Sequence, residues 1–186
     1  MTDALLVMDM QRGILARLDS RADELLDTVD AAIGVARSRG IPVIFVRVGF
    51  RVGAPEVSSN NQSFARLITS PDLGESDPLT QIHPRFDLRP GDVVVVKRRV
   101  SAFAGSDLDV VLRAKSIDAL VLCGIATSGV VLSTVRQAAD MDFRLTVLRD
   151  ACADLDDEVH RVLMDKVFPR QATVLETAAW AARDVA

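Results

Sequence analysis

Aromatic side chains are scarce in this chain: they make up 4% of its 186 residues, with one Trp and no Tyr. A surface that stacks nucleobases needs such rings, so their scarcity counts against a nucleic-acid platform. Positive charge is not in excess either. Twenty-six Asp and Glu outnumber 22 Lys and Arg, for a formal charge of −4 and a pI near 5.2, which argues against a polyanion partner. Cysteine and histidine number two each, Cys123 with Cys152 and His83 with His160. That is too few for a disulfide scaffold, and the spacing fits no zinc site. No apolar run approaches the ~20 residues that span a bilayer. The opening MTDALLVMDMQ carries acids where a signal peptide carries a basic region. The expectation is a soluble, cytoplasmic protein without metal, cofactor, membrane or nucleic-acid partner.

What is present is aliphatic. Hydrophobic residues make up 49% and charged residues 26%, with mean hydropathy +0.22. This composition supports a core and excludes a disordered chain. The length fits a single domain over 1–186. Its core must be built from Val, Leu, Ile and Ala.

Short, uniformly apolar runs alternate with helical patterns. Ala4–Met8 reads as a strand buried on both faces and ends at Asp9. Arg21–Arg39 has helical apolar spacing and stops at Gly40 and Pro42. Further strands are expected at Pro42–Val48, Asp92–Val96, Ala119–Cys123, Arg144–Leu148 and Ala172–Leu175. Helices are expected after Ser106, over Gly129–Met141 and Asp157–Val167, and at the C-terminal ETAAWAARDVA, with Ser106 and Asp109 as a capping box. Between Gly49 and Gly91 the periodicity is weak and Gly, Ser, Asn and Pro abound. A connection that long is often a lid or an assembly element, with a short helix at Gln62–Ile68. Six strands alternating with helices predict an α/β fold: a Rossmann-like, three-layer α-β-α sandwich around a six-stranded parallel sheet.

In such sheets chemistry gathers at the carboxyl ends of the strands. Those ends deliver Asp9, Lys97, the turn Gly124-Ile125-Ala126-Thr127-Ser128-Gly129, and Asp150. An acid, a base and a helix start with unpaired N–H groups suit an anionic substrate or an oxyanion. Each also has a plainer explanation. A carboxylate at a strand end caps helices, and the run Lys97-Arg98-Arg99 reads as a solvated charged surface. Their convergence on one edge favours function. A dinucleotide fingerprint, a Walker A loop and a G-x-S-x-G elbow are all absent from the sequence.

These residues resemble the isochorismatase-like hydrolases, which include nicotinamidase and N-carbamoylsarcosine amidohydrolase. The resemblance rests on LLVMDMQ, on Ile82-His83-Pro84 through DVVVVKRRVSAF, and on CGIATSGVVLSTVRQAAD followed by RLTVLRDACAD. It covers nearly the whole chain. It implies Asp9 and Lys97 as catalytic residues, a turn at Gly124, Ile125 and Ala126 with a non-proline cis peptide at Ile125–Ala126, and a small-molecule substrate. It also implies assembly as a homodimer or larger homo-oligomer. Gln11, Ser101 and Phe103 become candidate pocket residues, with loop packing as their alternative.

One departure stands out. The sixth residue after the turn glycine is the nucleophilic cysteine in the amidohydrolases, and here it is Val130. A thioester route cannot run through valine. Cys123, inside a strand, reads as core, and Cys152 is a minor candidate for a substitute nucleophile. Isochorismatases proper also lack the thiol and cleave a vinyl ether with the aspartate supplying the proton. This route needs a protonated Asp9. The Lys97 ammonium opposes protonation and burial favours it. The histidines that hold metal in nicotinamidases have no counterpart in VGFRVGAPEVSSNNQSF, and His83 reads as structural. Three functions remain in view: a thiol-independent hydrolase using Asp9 and Lys97, a silent relative that binds a ligand or partner, and a cysteine hydrolase through Cys152.

Overall fold

The structure, a computed structural model, describes residues 2–65 and 74–183. The chain runs β1 (Asp3–Met8), a short α1 (Arg12–Leu15), α2 (Ala22–Ser38), β2 (Val43–Val48), α3 (Gln62–Ala65) and β3 (Val93–Lys97). It continues with α4 (Leu108–Ala114), β4 (Ala119–Ile125), α5 (Leu132–Asp140), β5 (Arg144–Ala153), α6 (Asp157–Val162), β6 (Thr173–Leu175) and α7 (Thr177–Ala181). Six strands form one sheet in the order β3-β2-β1-β4-β5-β6, and every neighbouring pair is parallel. The predicted α/β architecture is therefore the observed one.

Both faces of the sheet are covered, which is why its central strands are apolar at every position. Leu6, Met8, Ile44, Val46, Leu120 and Leu122 face a cluster with Leu108 and Leu112 of α4 and Val135 and Ala138 of α5. Leu5, Val7, Phe45, Val121 and Cys123 face the opposite layer with Leu25, Val29, Ile33 and Ala36 of α2 and Trp180 of α7. Those α2 residues recur at the helical spacing that the sequence shows.

Three sequence expectations need correction. β5 does not stop at Leu148. Its register against β4 shifts between Leu122 and Gly124, and the strand runs on to Ala153. Asp150 consequently lies within the strand, where its carboxylate accepts from the backbone N–H and hydroxyl of Thr177 at the start of α7. It caps a helix and does not join the carboxyl-end cluster. Second, the helix expected from Gly129 begins with a π-helical turn over Thr127–Val131. Third, the Ser106 hydroxyl accepts from the Leu108 N–H, but Asp109 pairs with Arg113, so the capping box does not close. The helix expected at Gln62–Ile68 is present over Gln62–Ala65, and its remainder lies outside the described residues.

The long connection after β2 is tied to the strand ends by backbone pairing. Phe50 bridges Gly74, Gln11 bridges Ile82, and the Arg12 N–H donates to the Gln81 carbonyl at 3.2 Å. Among the described residues, no helix is long and apolar enough to cross a membrane.

Candidate active site

Asp9 is the first residue after β1, and it leaves the strand at once with φ +55°. Asp tolerates this left-handed region better than most residues. Lys97 ends β3, after four valines, and is buried. One strand, β2, lies between β1 and β3, and the two side chains meet. Lys97 Nζ lies 2.9 Å from Asp9 Oδ2, with the two side chains 2% and 8% exposed. Lys97 Nζ also donates to the Arg99 carbonyl at 3.0 Å. Asp9 Oδ1 is buried and has no hydrogen-bond partner among the described residues.

This asymmetry sets the carboxyl's acidity. Burial raises its pKa above the ordinary value and outweighs the attraction and hydrogen bond of Lys97. Asp9 thus holds its proton to a higher pH than a solvated aspartate does.

The turn after β4 closes the same edge. Met8 pairs in register with Gly124, which has φ +136°. A Cβ on Gly124 would stand 2.0 Å from the Met8 carbonyl oxygen, so only glycine permits this approach. The Ile125–Ala126 peptide is cis. The Gly129 and Val131 N–H groups fold back onto the Ala126 carbonyl, at 3.0 and 3.3 Å. The Ser128 N–H donates to Asp154 Oδ2 at 2.7 Å. Beside it, the fully buried Thr127 Oγ1 lies 2.8 Å from His160 Nδ1. Burial and the Arg149 charge lower the pKa of His160, against the opposing pull of Asp154, Asp157 and Asp165.

Val130 is 2% exposed and belongs to the apolar cluster that includes Phe103 and Val131. Phe103 packs against Phe143 with ring centroids 6.0 Å apart. Ser101 donates to Gln137 Oε1 at 2.7 Å and accepts from the Phe103 N–H. Gln11 is engaged on both ends of its carboxamide. Its Nε2 donates to the Val48 and Thr80 carbonyls, and its Oε1 accepts from the Val48 N–H. It acts as a strut between β1, β2 and the long connection. His83 is held through its backbone N–H, which donates to the Met10 carbonyl at 2.8 Å. Among the described residues, no group of three or more His, Cys, Asp or Glu is placed to hold a metal ion.

Neither thiol is activated. Cys123 lies in the α2-side core and its thiol is raised well above its ordinary value by burial. Burial pushes the Cys152 thiol up to about 12. The sequence points to Asp9, Lys97 and the turn, and the structure brings them to one edge. Asp154 and His160, which contact the turn, lie outside that reading because they follow a strand that outruns its apolar pattern. A broad cleft lined by Arg39, Pro42, Arg144 and Trp180 lies at the amino end of the sheet, away from this pair.

Comparison with known proteins matches residues 3–179 to the isochorismatase domain. The chain is 34% identical over 177 residues to the isochorismatase family protein YecD of Escherichia coli O157:H7, covering 93% of this chain and 91% of that one. It is 34% identical over 170 residues to the ureidoacrylate amidohydrolase RutB of Pseudomonas syringae, covering 80% and 69%. Among solved structures, an isochorismatase family protein from Burkholderia thailandensis superposes with TM-score 0.81 at 29% identity, covering 95% and 92%. N-carbamoylsarcosine amidase from Thermoplasma acidophilum does so with TM-score 0.79 at 27% identity, covering 95% and 97%.

Proposed function

This chain belongs to the isochorismatase family, and from that premise we propose that it hydrolyses a small molecule without a thiol. In this reading Asp9 is the proton donor and acceptor and Lys97 its electrostatic partner. The observation that carries the proposal is the buried Asp9–Lys97 pair, with one carboxylate oxygen on the ammonium and the other without a partner among the described residues. A core would not retain two ionisable groups without use, because removing them from water costs several kcal/mol per ion, on the order of what the pair regains.

The chemistry balances without a nucleophilic side chain. In its protonated form, which burial favours, Asp9 gives its proton to the substrate atom that must become a leaving group or a cation. Lys97 then stabilises the resulting carboxylate. Water adds to the electron-poor carbon, and the proton it releases returns to Asp9. The N–H groups of Ser128, Gly129 and Val131 are already spent, so an anion site at the turn would draw on those of Ala126, Thr127 and Val130. Phe103 is the one aromatic residue proposed for the pocket, which favours a small polar or aliphatic substrate over a ring such as nicotinamide. The Cys152 route has no support, since a thiol raised to about 12 is the reverse of an activated one.

The test is a panel of esters, amides, carbamoyl compounds and vinyl ethers assayed with the native chain and with Asp9→Asn. Turnover lost in Asp9→Asn supports the mechanism, and turnover unchanged by it overturns the mechanism. The second reading, a silent relative that binds a ligand through the same pocket, is favoured by the buried apolar Val130. Turnover of any panel compound counts against it. Amidase activity gained in Val130→Cys would show the remaining site intact. Assembly as a homodimer or larger oligomer and a cytoplasmic location belong to the same proposal. Light scattering tests the first.

A further inference from the structure

The triplet Lys97-Arg98-Arg99 reads in the sequence as a solvated charge run, yet only part of it meets solvent. Arg98 Nε lies 3.1 Å from Glu56 Oε1, with side chains 13% and 12% exposed. The same guanidinium pairs with Glu75 and donates to the Gly49 carbonyl. Arg98 therefore holds three points of the connection that follows β2. The Arg51 N–H donates to that same Glu56 oxygen at 3.0 Å, and the Arg51 guanidinium stands 3.7 Å away. Arg99 adds a second span: its guanidinium donates to the Arg98 and Glu56 carbonyls, each at 2.7 Å.

The cluster reaches the candidate site through one atom. The carbonyl of Arg99 accepts from Lys97 Nζ at 3.0 Å, and Lys97 spends another donor on Asp9. Whatever fixes the Arg99 peptide fixes the direction of the ammonium. The groups that fix it are the Arg99 and Arg98 guanidiniums, both anchored on residue 56. Buried, charge-assisted bonds of this kind are the strong ones, and Arg forks hold geometry as well as charge.

We propose that Glu56, Arg98 and Arg99 are positioning residues for Lys97. They latch the 49–56 and 74–75 portions of the long connection to the sheet, and the latch sets the ammonium against Asp9. Loosening the connection and releasing Lys97 are then one event. The importance of that coupling rests on the reading of Asp9 and Lys97 as the working pair, but the coupling is a physical link that is measurable without a substrate.

The chain has three lysines, and Lys115 and Lys166 are exposed. Lysine labelled with ¹³C at Cε therefore gives a three-line carbon–proton spectrum, with the Lys97 line assigned by its loss in Lys97→Met. Glu56→Gln keeps the shape of the hub and removes its charge. Arg99→Ala removes the second span and leaves Glu56 untouched. Both are expected to move the Lys97 line, leave the other two in place, and raise protease cleavage within 49–61 severalfold. Glu56→Asp is expected to restore part of the shift, and Arg113→Ala, on the surface of α4, is expected to move nothing near Lys97. A Lys97 line that stays in place in both test variants overturns the proposal, whether or not cleavage rises, since the cluster would then only fasten a loop. Should Arg99→Ala fail to fold by circular dichroism, Glu56→Gln decides alone. Absence of turnover against every substrate would refute the hydrolase reading and leave these resonances to answer the present question.

Discussion

Lys97→Met isolates the buried pair. Methionine replaces the lysine stem with apolar volume and deletes only the ammonium, so the loss is electrostatic. At the observed 2.9 Å, two unit charges attract by about 6 kcal/mol at an effective dielectric constant near 20. Desolvation offsets much of this while the pair is intact, but removing one partner strands the other, at a cost of about 3–5 kcal/mol. For a domain of this size that lowers the melting temperature by about 6–20 °C. The cost must depend on pH in a definite direction. Asp9 is already raised above its ordinary value, and loss of Lys97 raises it further. A group whose folded pKa exceeds its unfolded value of about 3.9 favours the fold at low pH and loses that contribution as pH rises through the folded value. The penalty of Lys97→Met is therefore smallest near pH 4 and grows toward neutrality. Adding Asp9→Asn removes the charge that was stranded, so the double variant is expected within about 1 kcal/mol of Asp9→Asn alone. Urea denaturation of the four proteins at pH 4.5 and pH 7 measures all of this. A Lys97→Met cost below about 1 kcal/mol at pH 7, equal at both pH values, would refute the reasoning.

Gly124→Ala places a Cβ 2.0 Å from a backbone oxygen at φ +136°; it is expected to cost more than about 4 kcal/mol, read as loss of soluble yield or of a cooperative melt. Iodoacetamide at pH 8 is expected to leave the native chain unmodified over a time in which the urea-unfolded chain takes two labels, because both thiols are buried and Cys152 is raised to about 12; a single native label on Cys152 in intact-mass analysis would reopen the thiol route. His160 is held below its ordinary value, chiefly by burial, so its contribution to stability is complete above about pH 6.5 and is lost as pH falls toward its folded value. His160→Gln is expected to flatten that part of the stability profile relative to the parent chain, and parallel profiles from urea midpoints would contradict the assignment.

What could be read from the sequence follows from which signals are local. The alternation of apolar runs with helical spacing gave the sheet and its layers, because burial on both faces forces uniform apolarity on β1 and β4. The rule that chemistry sits at carboxyl ends then reached Asp9 and Lys97 although 88 residues separate them, since parallel strands end on the same side. Asp150 failed the same rule for a visible reason. Its strand shifts register after Leu122 and continues through polar residues, so the end of the apolar run is not the end of the strand. The residue that does stand at the end, Asp154, is the one that holds the turn. Gln11 was misleading in a different way. A polar residue beside a candidate catalytic aspartate suggests a ligand contact, yet three backbone groups consume its carboxamide, and no sequence pattern encodes which carbonyls will be near.

The charge run after β3 shows why such long-range polar assignments matter to function. Taken alone, Arg98 and Arg99 are two surface arginines, and Glu56 is one acid in a Gly- and Ser-rich stretch. Their meaning comes from a partner about 40 residues away, and pairing at that distance leaves no periodic trace. Burial then makes the pairing consequential, because an ion that has left water must be met by opposite charge or by oriented dipoles. The Lys97 ammonium is met twice, by Asp9 on one side and by the Arg99 carbonyl on the other. The first contact ties it to the chemistry and the second to the long connection. Glu56 meets Arg98 through its carboxylate and Arg99 through its carbonyl, so it joins the connection after β2 to the residues that follow β3. On the proposed latch, the residues that fasten the connection after β2 also fix the second contact of the ammonium, and through it the attraction that opposes the raised pKa of Asp9.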